Sequence, residues 1–205
     1  MHAFWRCVFG NDRPVEVEIG SGTGAFLLAA AARHAHTNFF GIEPSYTRAT
    51  QLVSAIDAQG LSNARVLAAD AGCVVATLLP PSCVATYHIY FPDPWWKRRH
   101  HRRRLFTPAF AGALERTLAP SGRIHVATDV DDVFALALKT LAACAALTRH
   151  GERPPPRPGT TVFERKGLAR GATIKEATFV KHAGPSALRA HTNNAAPITP
   201  AESPS

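Results

Sequence analysis

The residues best placed for chemistry lie in one stretch, where Asp93 stands between two prolines in Phe91-Pro92-Asp93-Pro94-Trp95. Six cations and no acid fill the eight positions from Lys97 to Arg104 that follow. Proline fixes φ and donates no backbone hydrogen bond, so Pro-Asp-Pro ends the apolar run before it and holds the acid on a stiff turn. Such an acid suits recognition or catalysis; its plainer reading is a turn residue that caps the next segment. Trp95 and Trp96 offer rings for stacking on a base or sugar, although one of them is expected in the core. Like charges packed this densely repel unless an anion neutralises them, so 97–104 points to a phosphate-bearing partner. His100 and His101 have no further ligands at metal spacing, and no metal is assigned.

A second group lies upstream. Gly20-Ser21-Gly22-Thr23-Gly24 falls between a strand pattern and an Ala/Leu-rich helix. Glycines there let a ligand approach the backbone, and the helix start offers unpaired N–H groups. Gly20-x-Gly22-x-x-Ala25 also fits a dinucleotide fingerprint, with Glu43 near the ribose position. Glu18 stands just before the first glycine, however, and Asp70 adds a third acid at the end of another strand. Three carboxylates repel a pyrophosphate. They suit a ligand with an amine, a ribose and an adenine N–H, all of which S-adenosylmethionine carries. The competing reading is an ordinary strand-to-helix turn with solvated acids.

The elements that must position these residues are legible in order. Residues 1–14 read as a short lead, followed by strands at Val15–Ile19, Asn38–Ile42, Ala64–Ala68, Val84–Phe91 and Arg123–Thr128. Helices are expected at Ala25–Arg33, Tyr46–Gln59, around Gly72–Leu79, and at Pro108–Leu118 and Val133–Ala146. Strands alternating with helices predict an α/β fold with a mostly parallel sheet covered on both faces. Thr161–Arg165 and Ile174–Lys181 read as extended segments that finish the sheet, after a proline-rich stretch at 152–159. Residues 1–182 are expected to form one domain, and 183–205, rich in Ala, Pro, Ser, Thr and Asn, a disordered tail.

Composition narrows the class. The 205 residues carry a net charge of +8 from 23 Lys+Arg and 15 Asp+Glu. Without 97–104 the count is 17 cations against 15 acids, so the basicity is local, as a docking surface requires. Four scattered cysteines form no CxxC pair, which argues against a zinc site or a disulfide framework and fits a reducing cytoplasm. No signal-peptide pattern and no apolar run of membrane-spanning length is present.

Together these residues resemble the bacterial tRNA (guanine-N7)-methyltransferases, a family of class I S-adenosylmethionine-dependent methyltransferases. The most specific match is Phe91-Pro92-Asp93-Pro94-Trp95 with Lys97 and the Arg/His run. Glu18-Ile19-Gly20-x-Gly22, Gly41-Ile42-Glu43, Leu61-Ser62-Asn63, Ala127-Thr128-Asp129, and Arg157-Pro158 leading to Thr161-x-Phe163-Glu164 support it. The resemblance implies a Rossmann-like fold with a seven-stranded sheet, and methyl transfer from S-adenosyl-L-methionine to N7 of guanine 46 in the tRNA variable loop. It implies cofactor contacts at Glu18, Gly20, Gly22, Glu43, Asp70 and Asp93, with Asp93 also catalytic. It implies substrate contacts at Lys97, Asp129, Thr161, Val162, Phe163 and Glu164. The implied partner is tRNA, with no membrane, no obligatory protein partner, and a monomer or homodimer in the cytoplasm. The rival expectations are a methyltransferase for another RNA or a small acceptor, and a non-catalytic RNA-binding relative.

Overall fold

A computed structural model describes residues 3–95, 99, 104–151, 156–159 and 161–182, with Val162 as backbone only. Lys97, Trp96 and most of the basic run lie outside the described residues, as does the expected tail at 183–205.

The five expected parallel-type strands form, the fifth starting earlier than expected: β1 at Val15–Ile19, β2 at Asn38–Glu43, β3 at Ala64–Ala68, β4 at Val84–Tyr90 and β5 at Leu118–Thr128. Between them run helices α2 (Ala25–Arg33), α3 (Tyr46–Ala58), α4 (Ala71–Cys73, continued by a π turn at Val74–Leu78) and α5 (Pro108–Thr117). A first helix, α1 (Ala3–Phe9), occupies what reads as a lead; α6 (Asp131–Ala142), β6 (Leu147–His150), α7 (Val162–Ala169) and β7 (Lys175–Lys181) complete the order. The sheet runs β3-β2-β1-β4-β5-β7-β6, parallel through β5, with β7 antiparallel to both β5 and β6.

Alternation along each strand divides the interior in two. Val17 and Ile19 of β1, Tyr87 and Ile89 of β4, and Ile124 and Val126 of β5 pack with α1, α5 and α6 on one face. Phe39 of β2 and Ala64 of β3 pack with Phe26, Leu27, Leu52 and Ile56 of α2 and α3 on the other. Glu16 and Glu18 break the apolar pattern of β1 because that second face is polar along β1 and β4. Glu16 Oε2 lies 2.7 Å from His88 Nε2, and His88 Nδ1 lies 2.8 Å from the Tyr90 hydroxyl.

Three expectations are corrected. Thr161–Arg165 is not extended: Thr161 caps α7, its Oγ1 accepting from Glu164 N at 3.1 Å. The signal was the capping-box spacing Thr-x-x-Glu, which outweighed the β-branched start. The sixth strand comes instead from Leu147–His150, since α6 stops at Ala142 and does not continue to Ala146. Strand β5 begins at Leu118, before Pro120-Ser121-Gly122, and accommodates them with Ser121 at φ 61° and a register shift against β4. There β5 pairs with β4 alone, because β7 joins it only from Arg123, so Pro120 needs to donate to no second neighbour.

α1 forms around an anchor that the sequence hides. Trp5 is buried, packs tilted against Phe40 at 5.1 Å between ring centroids, and donates Nε1–H to the Cys83 carbonyl at 2.6 Å. That bond joins the start of the chain to the segment entering β4.

Candidate active site

The strand order reverses direction between β1 and β4, and open α/β sheets bind ligands at such a switch, beyond the carboxyl ends of the strands. The glycine loop follows β1 there, and the Pro-Asp-Pro turn follows β4.

The loop has Gly20, Gly22 and Gly24 at φ 78°, 55° and 79°, a left-handed path that residues with a Cβ adopt only with strain. It is pinned on both sides. Gly20 N donates to the Ile42 carbonyl at 2.8 Å, Gly24 N to the Ser21 carbonyl at 2.8 Å, and Gly22 N to Glu43 Oε2 at 2.8 Å. A Cβ on Gly41 would stand 2.5 Å from Ser21 Oγ and 2.8 Å from Leu27 Cδ1, so β2 can approach the loop only without a side chain there.

Glu43, 2% exposed, is a hub. Its Oε1 accepts from Ser45 N at 2.9 Å and from Arg48 Nε at 2.8 Å, while Oε2 holds Gly22. A carboxylate offers about four acceptor sites, so most of this capacity already serves the protein. Arg48, on the first turn of α3, has no assigned role in the sequence reading; it neutralises the deepest acid of the site.

Glu18 is the opposite case. It is 4% exposed and its Oε2 has no hydrogen-bond partner, with the buried Ser21 hydroxyl of the loop beside the group. Burial pushes its carboxyl up to about 8, opposed by the Ser21 hydroxyl and the Leu27 N–H and reinforced by the charge of Glu43. A buried acid with one oxygen lacking any cationic partner, beside a glycine loop, suits a cationic group. The amine and sulfonium of S-adenosylmethionine meet that demand, so the residues present fit the expected cofactor. A pyrophosphate would meet repulsion here.

The remaining acids sit at the rim. Asp70, at the end of β3, is exposed and caps α4 with Oδ1 accepting from Cys73 N at 2.8 Å. Asp93 is exposed on the turn after β4. Phe91 at φ 51° and Trp95 at φ 44° bracket it, each a left-handed non-glycine residue. Phe91 N donates to the Ala127 carbonyl at 2.7 Å, which ties the turn to β5. Backbone strain of this kind costs about 1–3 kcal/mol per residue and collects at functional sites. Asp129, just past β5, lies 3.4 Å from Arg170 Nη2, and Gly167 of α7 packs so closely that a Cβ would stand 3.0 Å from its Oδ2.

Of the other expected substrate contacts, Phe163 is exposed, whereas Thr161 caps α7 and Glu164 is buried. Glu164 pairs with Arg157, which also binds Glu176 of β7. The same guanidinium lies 5.2 Å from the Tyr90 ring centroid and 6.0 Å from that of Phe91. Arg157 thereby fastens α7 and β7 to the end of β4, just before Asp93. Its place beside Pro158 gave no hint of this, because Glu164, Glu176 and Tyr90 are distant in sequence. The structure thus unites Glu18, the loop and Glu43 in one cluster, and Asp129 with α7 in another. It places Asp93 on the turn that Arg157 supports. Among the described residues no group of side chains suits a metal, and no helix is long and apolar enough to cross a membrane.

Residues 12–177 match the family model described as "Putative methyltransferase". The chain is 38% identical over 184 residues to the tRNA (guanine-N(7)-)-methyltransferase of Burkholderia mallei, covering 88% of this chain and 70% of that protein. The enzyme of the same name from Nitrosomonas eutropha is 36% identical over 179 residues, covering 86% and 80%. That from Treponema pallidum is 39% identical over 168 residues, covering 82% and 67%. Among solved structures, the 16S rRNA methyltransferase KamB superposes with a TM-score of 0.64 at 16% identity, over 89% of this chain and 94% of that one. The aminoglycoside resistance methyltransferase NpmB1 gives 0.61 at 18% identity, over 86% and 91%. These structures share the class I methyltransferase fold. The matched span holds the glycine loop, the Pro-Asp-Pro turn and α7, and the chain belongs to the tRNA (guanine-N(7)-)-methyltransferase family.

Proposed function

We propose that this protein transfers a methyl group from S-adenosylmethionine to N7 of a guanine in tRNA, at position 46 of the variable loop. The observation that carries the reading is the buried carboxyl of Glu18, with its Oε2 unpartnered and no cation beside it, next to the glycine loop at the sheet's switch point. The names of its relatives supply the tRNA and the N7 position.

The cofactor supplies an electrophilic methyl group on a sulfonium when bound. Glu18 would hold its cationic end, the glycine loop would admit it close to the backbone, and Glu43 and Asp70 would serve its ribose and base. Guanine N7 has a lone pair and no proton, so the protein need not remove one. Its task is alignment. Asp93, exposed on its stiff turn, accepts hydrogen bonds from guanine N1–H and N2–H₂, which selects guanine over adenine. Asp129 and the start of α7, with Phe163, are the further substrate contacts in this reading. Lys97 and the cations after it hold the phosphate backbone while the base leaves its stack.

The test is incubation of the protein with labelled S-adenosylmethionine and an unmodified tRNA transcript, followed by mapping of the methylated nucleoside. The expected product is N7-methylguanosine at position 46, formed at least tenfold more slowly in Asp93→Asn and Lys97→Ala. Label on another nucleoside, or turnover near that of the wild type in both variants, would sink the proposal.

A further inference from the structure

Helix α7 presents two large apolar side chains to solvent, Phe163 at 56% and Leu168 at 55%, both among the few exposed large hydrophobic residues described. Its exposed residues also include Arg165, Lys166 and Arg170. Its one acid, Glu164, is buried and neutralised by Arg157. The solvent face therefore carries only positive charge. At 100° per residue, Phe163, Lys166 and Arg170 fall on one line of the helix. Arg170, at the end of that line, reaches Asp129 beside the candidate pocket.

The acids near α7 do not cancel this charge. Asp129 is met by Arg170 and Asp131 by Lys175, which leaves Arg165 and Lys166 with no acidic partner among the described residues. A solvated helix face more often mixes signs, because alternating charges support each other at i, i+4. A face with cations alone, interleaved with an aromatic ring, fits a polyanion whose sugars and bases offer apolar surface.

We infer that the exposed face of α7 is a second tRNA-docking surface, on the β5–β7 side of the pocket, with Arg165 and Lys166 contacting backbone phosphates. The basic run at 97–104 follows β4 in sequence and supplies the first set of cations; α7 would supply a second set. This rests on the tRNA reading above. The helix is held in place by Arg157 and by the packing of Gly167 on Asp129, so docking on its face bears directly on the pocket wall.

The test is filter binding of an unmodified tRNA transcript over a salt series, with wild type, Arg165→Ala/Lys166→Ala, and the charge-preserving swap Arg165→Lys/Lys166→Arg. The alanine pair is expected to weaken binding at least tenfold near 0.1 M salt. It should also flatten the slope of log K against log salt by about 1.4–1.8, the loss of two phosphate contacts. The swap should keep both within twofold, and S-adenosylmethionine binding by calorimetry should be the same in all three. An alanine pair with wild-type affinity and slope, or a swap as weak as the alanine pair, would overturn the α7 surface alone. A wild-type protein that does not bind tRNA would overturn the tRNA reading and this inference together.

Discussion

The backbone N–H of Gly22 donates to Oε2 of Glu43 at 2.8 Å, so the ligand loop after β1 and the acid at the end of β2 form one rigid unit. The acid expected to face a ribose is also the clamp that shapes the loop. Replacing it by Glu43→Ala strands the N–H groups of Gly22 and Ser45 and leaves Arg48 without its anion. These donors are partly buried, so each left unpaired costs at most about 1–3 kcal/mol. S-adenosylmethionine affinity is expected to fall at least tenfold by calorimetry. The thermal midpoint should drop by about 2–4 °C for each kcal/mol lost.

Glu18 makes the apoprotein sensitive to pH in a defined direction. Its folded carboxyl titrates near 8, above the ordinary value of 4.5, so the folded state holds a proton that the unfolded state has released. Stability therefore falls as pH rises from about 4.5 to about 8. His125 runs the other way, because burial and the neighbouring His88 lower it from 6.5 to about 4, and stability is lost as pH falls through that window. The Glu18 contribution is read as the difference between wild type and Glu18→Gln in urea unfolding from pH 5 to 8.5. A difference that does not change with pH would contradict the buried, raised acid.

Cofactor binding should release that proton. Below pH 8 Glu18 must ionise to pair with an amine, so affinity should rise with pH toward 8. Calorimetry at pH 6.5 in buffers of different ionisation enthalpy measures the release directly, and Glu18→Gln should abolish it.

Arg157 supports the site without belonging to it. It neutralises Glu164 and Glu176, all three side chains being largely buried, and it lies over Tyr90. Removing one partner from such a cluster costs about 3–5 kcal/mol. Arg157→Ala is expected to lower the urea midpoint clearly and to raise KM for tRNA. Arg157→Lys should recover only part, since a single ammonium cannot fork between two carboxylates.

Asp93→Asn separates recognition from cofactor binding. Losing a charged acceptor for guanine N1–H and N2–H₂ is worth about 1.5–3 kcal/mol, or about 10- to 100-fold in kcat/KM. S-adenosylmethionine affinity should change far less. The variant should also discriminate less between guanosine and inosine at the target, which methylation of substituted transcripts measures.

Trp5→Phe tests the unforeseen first helix. Loss of Nε1–H leaves the Cys83 carbonyl buried without its donor, at about 1–3 kcal/mol. Urea unfolding should show this as a lower midpoint with an unchanged slope.

The sequence alone determined the features that rest on local chemistry. Apolar runs of five to seven residues separated by Ala/Leu-rich helices required a mostly parallel sheet, and glycines at 20, 22 and 24 required a left-handed loop after β1. The prolines around Asp93 required a stop after β4. Tertiary structure alone decided which acids were free. Glu18 and Glu43 look alike in sequence, yet one is saturated by Gly22, Ser45 and Arg48 and the other has an orphaned oxygen, because only assembly sets which donors reach which strand end. It also decided the C-terminal part. Leu147–His150 is too short and polar to announce a strand, and forms one because β7 offers it a free edge. Glu164 turns inward because Arg157, 7 residues away and across a proline, is held there by Glu176 and the Tyr90 ring. Burial and pairing are properties of the packed chain, and no local spacing encodes them.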